Sequence, residues 1–221
     1  MSQLAQDLKA ALYGGDPFEH FPYKKYAQDI TGGEIHPSMK SVFDAVKPTF
    51  VVEVGSWKGK SALHMAELLR AQNNKDFAVL CIDTWLGSIE HYTASLPQWA
   101  IGPTAYGRPL LYEQFMSNIM HTGNQDVIVP FPTTSITGAK WLSKQPAKPE
   151  LIYIDADHDE DEVYADLCRY WPLVDQGGAL MGDDFDTVWP GVICAVVRFS
   201  KENKLQVLHT NDHLWLIQKT A

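Results

Sequence analysis

Phe50-Val-Val-Glu-Val-Gly-Ser-Trp-Lys-Gly-Lys-Ser61 is the stretch on which the fold turns. An apolar, β-branched run leads into an acid and a turn, Glu53-x-Gly55-x3-Gly59. Lys60-Ser61 then opens a segment with Leu63, Met65, Ala66 and Leu69 at helical spacing. Strand, glycine turn and helix start in that order form a ligand-binding corner of α/β proteins. The glycines let the backbone approach a ligand, and free N–H groups at the helix start attract an anion. The spacing is neither G-x-G-x-x-G nor that of a full P-loop. Glu53 would repel a pyrophosphate but accept from an ammonium group, so a zwitterion suits both halves of the corner.

Working outward, three more apolar runs end in polar signatures. Ala78-Val-Leu-Cys-Ile82 precedes Asp83, Leu151-Ile-Tyr-Ile154 precedes Asp155-Ala-Asp-His158, and Gly178-Ala-Leu-Met181 precedes Gly182-Asp-Asp184. In open α/β sheets, ligands bind just outside the carboxyl ends of the strands. Between these strands the pattern predicts helices over 61–72 and 161–173, and a third strand at 127–129 followed by a short helix carrying Trp141. A helix over 191–201 then carries Val192, Ala195, Val196 and Phe199 on one side. Residues 205–218 alternate as a terminal hairpin does. Residues 1–13 and 37–46 read as helices, with an irregular Gly/Pro/aromatic stretch from 14 to 33. The repeated β-then-α order implies a parallel sheet with crossover helices, finished by an antiparallel pair. Residues 1–36 read as an N-terminal extension and 37–221 as one domain. An insertion at 86–124, aromatic-rich over 88–108 and with a helix around 110–121, reads as a lid, a substrate wall or an oligomer contact.

The 221 residues carry a net charge of −9, which leaves no basic footprint for a nucleic-acid partner. No run approaches the length of a membrane span, and the amphipathic N-terminus lacks the pattern of a secretory signal. Cys81, Cys168 and Cys194 read as reduced core residues without metal-type spacing, which points to a cytoplasmic protein.

Asp155, Asp183 and Asp184 form the sharpest constellation. Neighbouring strands lie about 4.8 Å apart, so strand-end carboxylates can share one small cation. Such hard ligands suit Mg²⁺ or another divalent cation. His158 follows three residues after Asp155 and is placed to accept a hydroxyl proton. Asp83 is placed for the two hydroxyls of a ribose, with Thr84 beside it and Trp85 able to lie against an adenine. His91 is a possible substrate contact.

These motifs resemble those of class I S-adenosylmethionine-dependent methyltransferases, over nearly all of residues 37–219. More narrowly they are similar to the metal-dependent small-molecule O-methyltransferases of the catechol, macrocin and mycinamicin type, a branch that includes the cephalosporin hydroxylase-like proteins. The resemblance runs through Glu53 to Ser61, Asp83, Asp155 to His158 and Asp183-Asp184. It implies a Rossmann-like α/β fold, a seven-stranded sheet of order 3-2-1-4-5-7-6 with the last strand antiparallel, flanked by helices. It further implies that Glu53, Gly55, Ser56, Gly59 and Ser61 hold the methionine part of S-adenosylmethionine and that Asp83 holds the ribose. Thr134 or Ser135 would lie near the adenine, Asp155, Asp183 and Asp184 would hold the metal, and His158 would be the base. The implied acceptor is the hydroxyl of a sugar, polyketide or phenol.

Two rivals follow from parts of the same sequence. Asp155-Ala-Asp157 matches the D-x-D of a metal-dependent glycosyltransferase, and the fold could bind S-adenosylmethionine without catalysis. A short-chain dehydrogenase fits poorly, since no Tyr-x3-Lys pair is present.

Overall fold

A computed structural model describes residues 2–32 and 35–220. Its centre is a seven-stranded sheet. In chain order the strands are β1 (Phe50–Val54), β2 (Ala78–Asp83), β5 (Ile128–Pro132), β6 (Leu151–Ile154), β7 (Ala179–Gly182), β8 (Val207–His209) and β9 (Trp215–Gln218). A separate two-stranded hairpin holds β3 (Thr104–Ala105) and β4 (Arg108–Pro109). The sheet order is β5-β2-β1-β6-β7-β9-β8; β9 is antiparallel to both neighbours and all other pairs are parallel. Every residue of β1, β6 and β7 is buried, as expected for strands covered on both faces.

Alternate strand residues face two helical layers. Val51, Val79, Cys81 and Tyr153 pack with α2 (Met39–Val46), α3 (Lys60–Ala71) and α5 (Leu111–His121). Val52, Val54, Leu80, Ile82 and Ile152 pack with α1 (Gln3–Tyr13), α6 (Ser135–Leu142), α7 (Glu160–Tyr170) and α8 (Pro190–Asn203). The N-terminal helix therefore shares the core through Ala5 and Leu8. A short α4 (Ile89–Thr93) stands apart from both layers. The chain leaves β1 towards β2 and β5 on one side and returns to β6 and β7 on the other. This order reversal opens a crevice above the strand ends of β1 and β6.

Three details differ from the sequence-based expectations. The third strand runs past the predicted 127–129 to Pro132, because β5 is an edge strand, where proline is tolerated. Helix α5 buries Leu111, Phe115, Met116 and Ile119, so it is the crossover between β2 and β5, and residues 86–110 alone are left to lie over the crevice. Cys168 and Cys194 are exposed on α7 and α8; only Cys81 is a core cysteine. No helix among the described residues is long and apolar enough to cross a membrane.

Candidate active site

The turn after β1 is held by close packing. Gly55 has φ +86°, and a Cβ there would lie 1.9 Å from the Asp155 carbonyl oxygen, so only glycine allows β1 and β6 to end side by side. The next two amides, of Ser56 and Trp57, each donate to Asp83 Oδ2 at 2.9 Å, while Trp85 N donates to Oδ1 at 2.7 Å. Asp83 thus ties the ends of β1 and β2 together and still lines the cavity, with lone pairs left for a ligand hydroxyl. Helix α3 begins without a side-chain cap, and Lys60 and Ser61 in its first turn line the same cavity. Its first turn is a suitable seat for a carboxylate.

That cavity, about 580 Å³, lies across the ends of β1, β2, β6 and β7. Gly55, Ser56, Ser61, Asp83, Thr84, Thr134, Ser135, Asp155, His158, Asp183 and Asp184 all reach it. Thr134 also caps α6, and the Ser135 hydroxyl is tied to Asp166, itself 2.8 Å from Arg169.

Three of the expected ligand contacts do not reach the wall. Trp85 is 2% exposed, donates from Nε1 to the Trp57 carbonyl and packs on Tyr112 and Phe115; it is a core residue, not an adenine platform. Gly59 faces Phe115, whose ring a Cβ would meet at 3.0 Å, so its small size serves helix packing. Glu53 is fully buried behind Ser61, whose hydroxyl it accepts through Oε1, while Oε2 has no partner. Burial, partly offset by the Ser61 hydrogen bond and the nearby Ser56 and Cys81 groups, pushes its pKa up to about 7. Glu53 shapes the turn from below and does not meet the cavity.

At the β6 and β7 ends the carboxylates separate into two groups. Asp155 and Asp184 lie with His158 so that one ligand atom from each falls within 4.8 Å of the others. Burial first, then repulsion from Asp183 and Asp184, holds the Asp155 carboxyl well above the usual range. A divalent cation would relieve that repulsion, and two carboxylates beside an imidazole are a fitting donor set. Asp183, expected as a third ligand, turns away instead. Its Oδ2 accepts from His36 at 2.8 Å and from the Tyr153 hydroxyl at 3.3 Å. The groups whose ligand atoms come together here are therefore Asp155, Asp184 and His158, without Asp183.

His158 Nε2 is 2.9 Å from Asp184 Oδ2, its ring stacks on Trp189 at 3.8 Å, and Nδ1 is enclosed without a hydrogen bond, 3.8 Å from Glu90 Oε1. Burial lowers its pKa, but the hydrogen bond and charge of Asp184, helped by Glu90 and Asp157, hold it above the ordinary histidine value. Asp157 Oδ1 accepts from the amides of His158 and Asp159, which makes it a turn cap, and it is not in the cluster that Asp155 and Asp184 form with His158. On the opposite wall, His91 stacks on Trp57 at 3.8 Å and joins Ser88 in a capping box.

Sequence reasoning passed over Glu90, Trp189 and His36. Only the aromatic richness around Glu90 hinted at a wall there.

Residues 52–185 match the family model described as a methyltransferase domain. The chain belongs to that family. Its sheet is the one the class I methyltransferases share, and the glycosyltransferase reading is thereby overturned. No curated protein matches this methyltransferase significantly in sequence. Solved structures with the same fold include the O-methyltransferase TomG from Streptomyces achromogenes, involved in tomaymycin synthesis and in complex with SAM. It is 13% identical with a TM-score of 0.60, over 100% of this chain and 97% of that one. An O-methyltransferase from Bacillus cereus in complex with SAH is 14% identical, with a TM-score of 0.59, over 99% and 98% of the two chains. CalS11, a TDP-rhamnose 3'-O-methyltransferase in calicheamicin biosynthesis, is 17% identical with a TM-score of 0.55, over 82% and 77%.

Proposed function

We propose that this methyltransferase transfers the methyl group of S-adenosylmethionine to a hydroxyl of a small molecule, with His158 as the base. The observation that carries the reading is the Asp184–His158 pair on the wall of the cavity. A carboxylate only accepts, so Asp184 fixes the proton on Nε2 and leaves the lone pair on Nδ1. S-adenosylmethionine supplies a methyl carbon made electrophilic by its sulfonium. The turn at Gly55–Ser56 and the start of α3 receive the carboxylate of the methionine part, Asp83 and Thr84 the ribose, and Thr134 and Ser135 the adenine. Their donors and acceptors orient the donor, while Trp189 and the 86–110 segment exclude water around His158.

Asp155 and Asp184 would hold a divalent cation such as Mg²⁺, which would lower the pKa of an acceptor hydroxyl. His158 is then kept for the proton, since one nitrogen cannot serve both roles. TomG and CalS11 are O-methyltransferases of the same fold and support oxygen as the acceptor atom. The structure of the Bacillus cereus O-methyltransferase in complex with SAH supports the donor class. A sugar, polyketide or phenol hydroxyl, and a cytoplasmic setting, belong to the same reading.

Calorimetric titration with S-adenosylhomocysteine, with and without Mg²⁺, tests donor and metal together: micromolar binding is expected, and no heat in either arm sinks the reading. Replacing His158 by Ala should cut turnover about 10²–10⁴-fold while S-adenosylhomocysteine affinity stays the same. Wild-type turnover in that variant removes His158 from the base role.

A further inference from the structure

We propose that His36 is a positioning residue which, through Asp183, fixes the Asp184 carboxylate against His158. The proposal rests on the reading of His158 as the base, and its geometry extends outside the matched residues 52–185. His36 is 1% exposed and has an acceptor at each ring nitrogen: the Asp212 carbonyl at Nδ1 and Asp183 Oδ2 at Nε2, the latter at 2.8 Å. Acceptors on both sides require donation from both nitrogens.

Asp183 is pinned from four directions. Besides His36, the Tyr153 hydroxyl donates to Oδ2, the Asp184 amide donates to Oδ1 at 2.6 Å, and Trp215 Nε1 donates to its carbonyl at 3.1 Å. The result is visible one residue later. Asp184 sits at φ +63°, a left-handed conformation that is uncommon outside glycine and that Asp tolerates better than most. In that conformation its carboxylate meets His158 Nε2. Ser38, two residues after His36, seats the clamp: its amide and hydroxyl donate to the two carboxylate oxygens of Asp212, at 3.0 and 2.7 Å. The segment before α2 and the turn between β8 and β9 thus close on Asp183 from outside the sheet.

A residue that merely held the N-terminal segment in place would leave His158 unaffected. The discriminating measurement is the ¹⁵N spectrum of the His158 ring in the full chain, metal-free in chelator at alkaline pH, assigned by its loss in H158A. Wild type should show one tautomer, with Nε2 protonated and the two nitrogen resonances far apart. His36→Ala, and His36→Phe, which keeps a ring but no donors, should bring the two resonances together as tautomers mix. His36→Gln, whose amide can donate to Asp183, should restore the separation. S-adenosylhomocysteine affinity should stay within about twofold in all three, as the donor end of the cavity lies elsewhere. An unchanged His158 spectrum in a folded variant without donors overturns the proposal. Failure of both donor-less variants to fold also overturns it, by leaving His36 a purely structural role. Full turnover in H158A would remove the base reading alone, while the tautomer result would stand.

Discussion

Asp184 raises the pKa of His158 and accepts from its ring at Nε2. Burial alone would push the His158 pKa down, and the hydrogen bond and negative charge of Asp184 do most to reverse this. Asp184→Asn removes both the charge and the fixed acceptor, so burial should prevail and the His158 pKa should fall. NMR titration of the metal-free protein checks it: the midpoint is expected above the ordinary histidine value in wild type and lower in the variant. A midpoint that stays put assigns the shift to Glu90 and Asp157 instead. At this scale the sequence is informative for side chains at or within a few residues of a strand end that face the cavity, as Asp83, Asp155, His158 and Asp184 do. It misled where orientation decides. Trp85 follows an acid as a ligand platform might, yet its indole turns inward to Tyr112 and Phe115. Asp183 adjoins Asp184 in sequence, but the left-handed backbone at Asp184 sends the two side chains to different partners, His36 and His158. His36 carried no local signal at all, since its partner Asp183 lies 147 positions away.

The strand-to-helix corner is the element on which the site depends, and its tolerance is narrow. Gly55 amide donates to the Ile82 carbonyl, and its α-carbon faces the backbone of Asp155 and Ala156 at distances no side chain survives. Gly55→Ala combines a left-handed φ with a backbone collision, so it must spread β1 from β6. The expected cost is roughly 3 kcal/mol or more, read as a lower midpoint in denaturant, with S-adenosylhomocysteine binding lost in whatever folds. A variant with wild-type stability and affinity would refute this account of the corner. Such elements were legible in advance because fully buried parallel strands read as unbroken apolar runs and helices as a 3.6-residue pattern. Strand β5 runs on through Pro130 and Pro132 because its place at the sheet edge relaxes the rule that proline ends a strand. Likewise, a helix within a long interval is not visibly part of the core until α5 is seen packed against β5 with Leu111, Phe115, Met116 and Ile119 in the core.

Across the whole molecule, acidic groups gathered at one end of the sheet make stability depend on pH. Glu53 shows the effect most directly because it is fully buried and lacks a partner at Oε2. Its pKa moves from 4.5 to about 7 on folding, burial being the main cause. Between those values the folded chain keeps a proton that the unfolded chain has lost, so stability falls as pH rises through that window and levels off above it. At 1.36 kcal/mol per unit the loss is on the order of 3 kcal/mol. His36 and His158, whose pKa values are raised on folding, shift stability in the same direction. The wild-type slope is therefore composite, and a difference isolates Glu53. Glu53→Gln keeps an acceptor for Ser61 and cannot ionise. Denaturation of both proteins from pH 4.5 to 8 should give curves that start close together and separate towards neutral pH, the variant being the more stable. Because Glu53 lies behind the cavity wall, the same variant should still bind S-adenosylhomocysteine. Parallel stability curves would mean that the Glu53 carboxyl ionises freely in the folded chain, and loss of binding with stability intact would return it to the ligand.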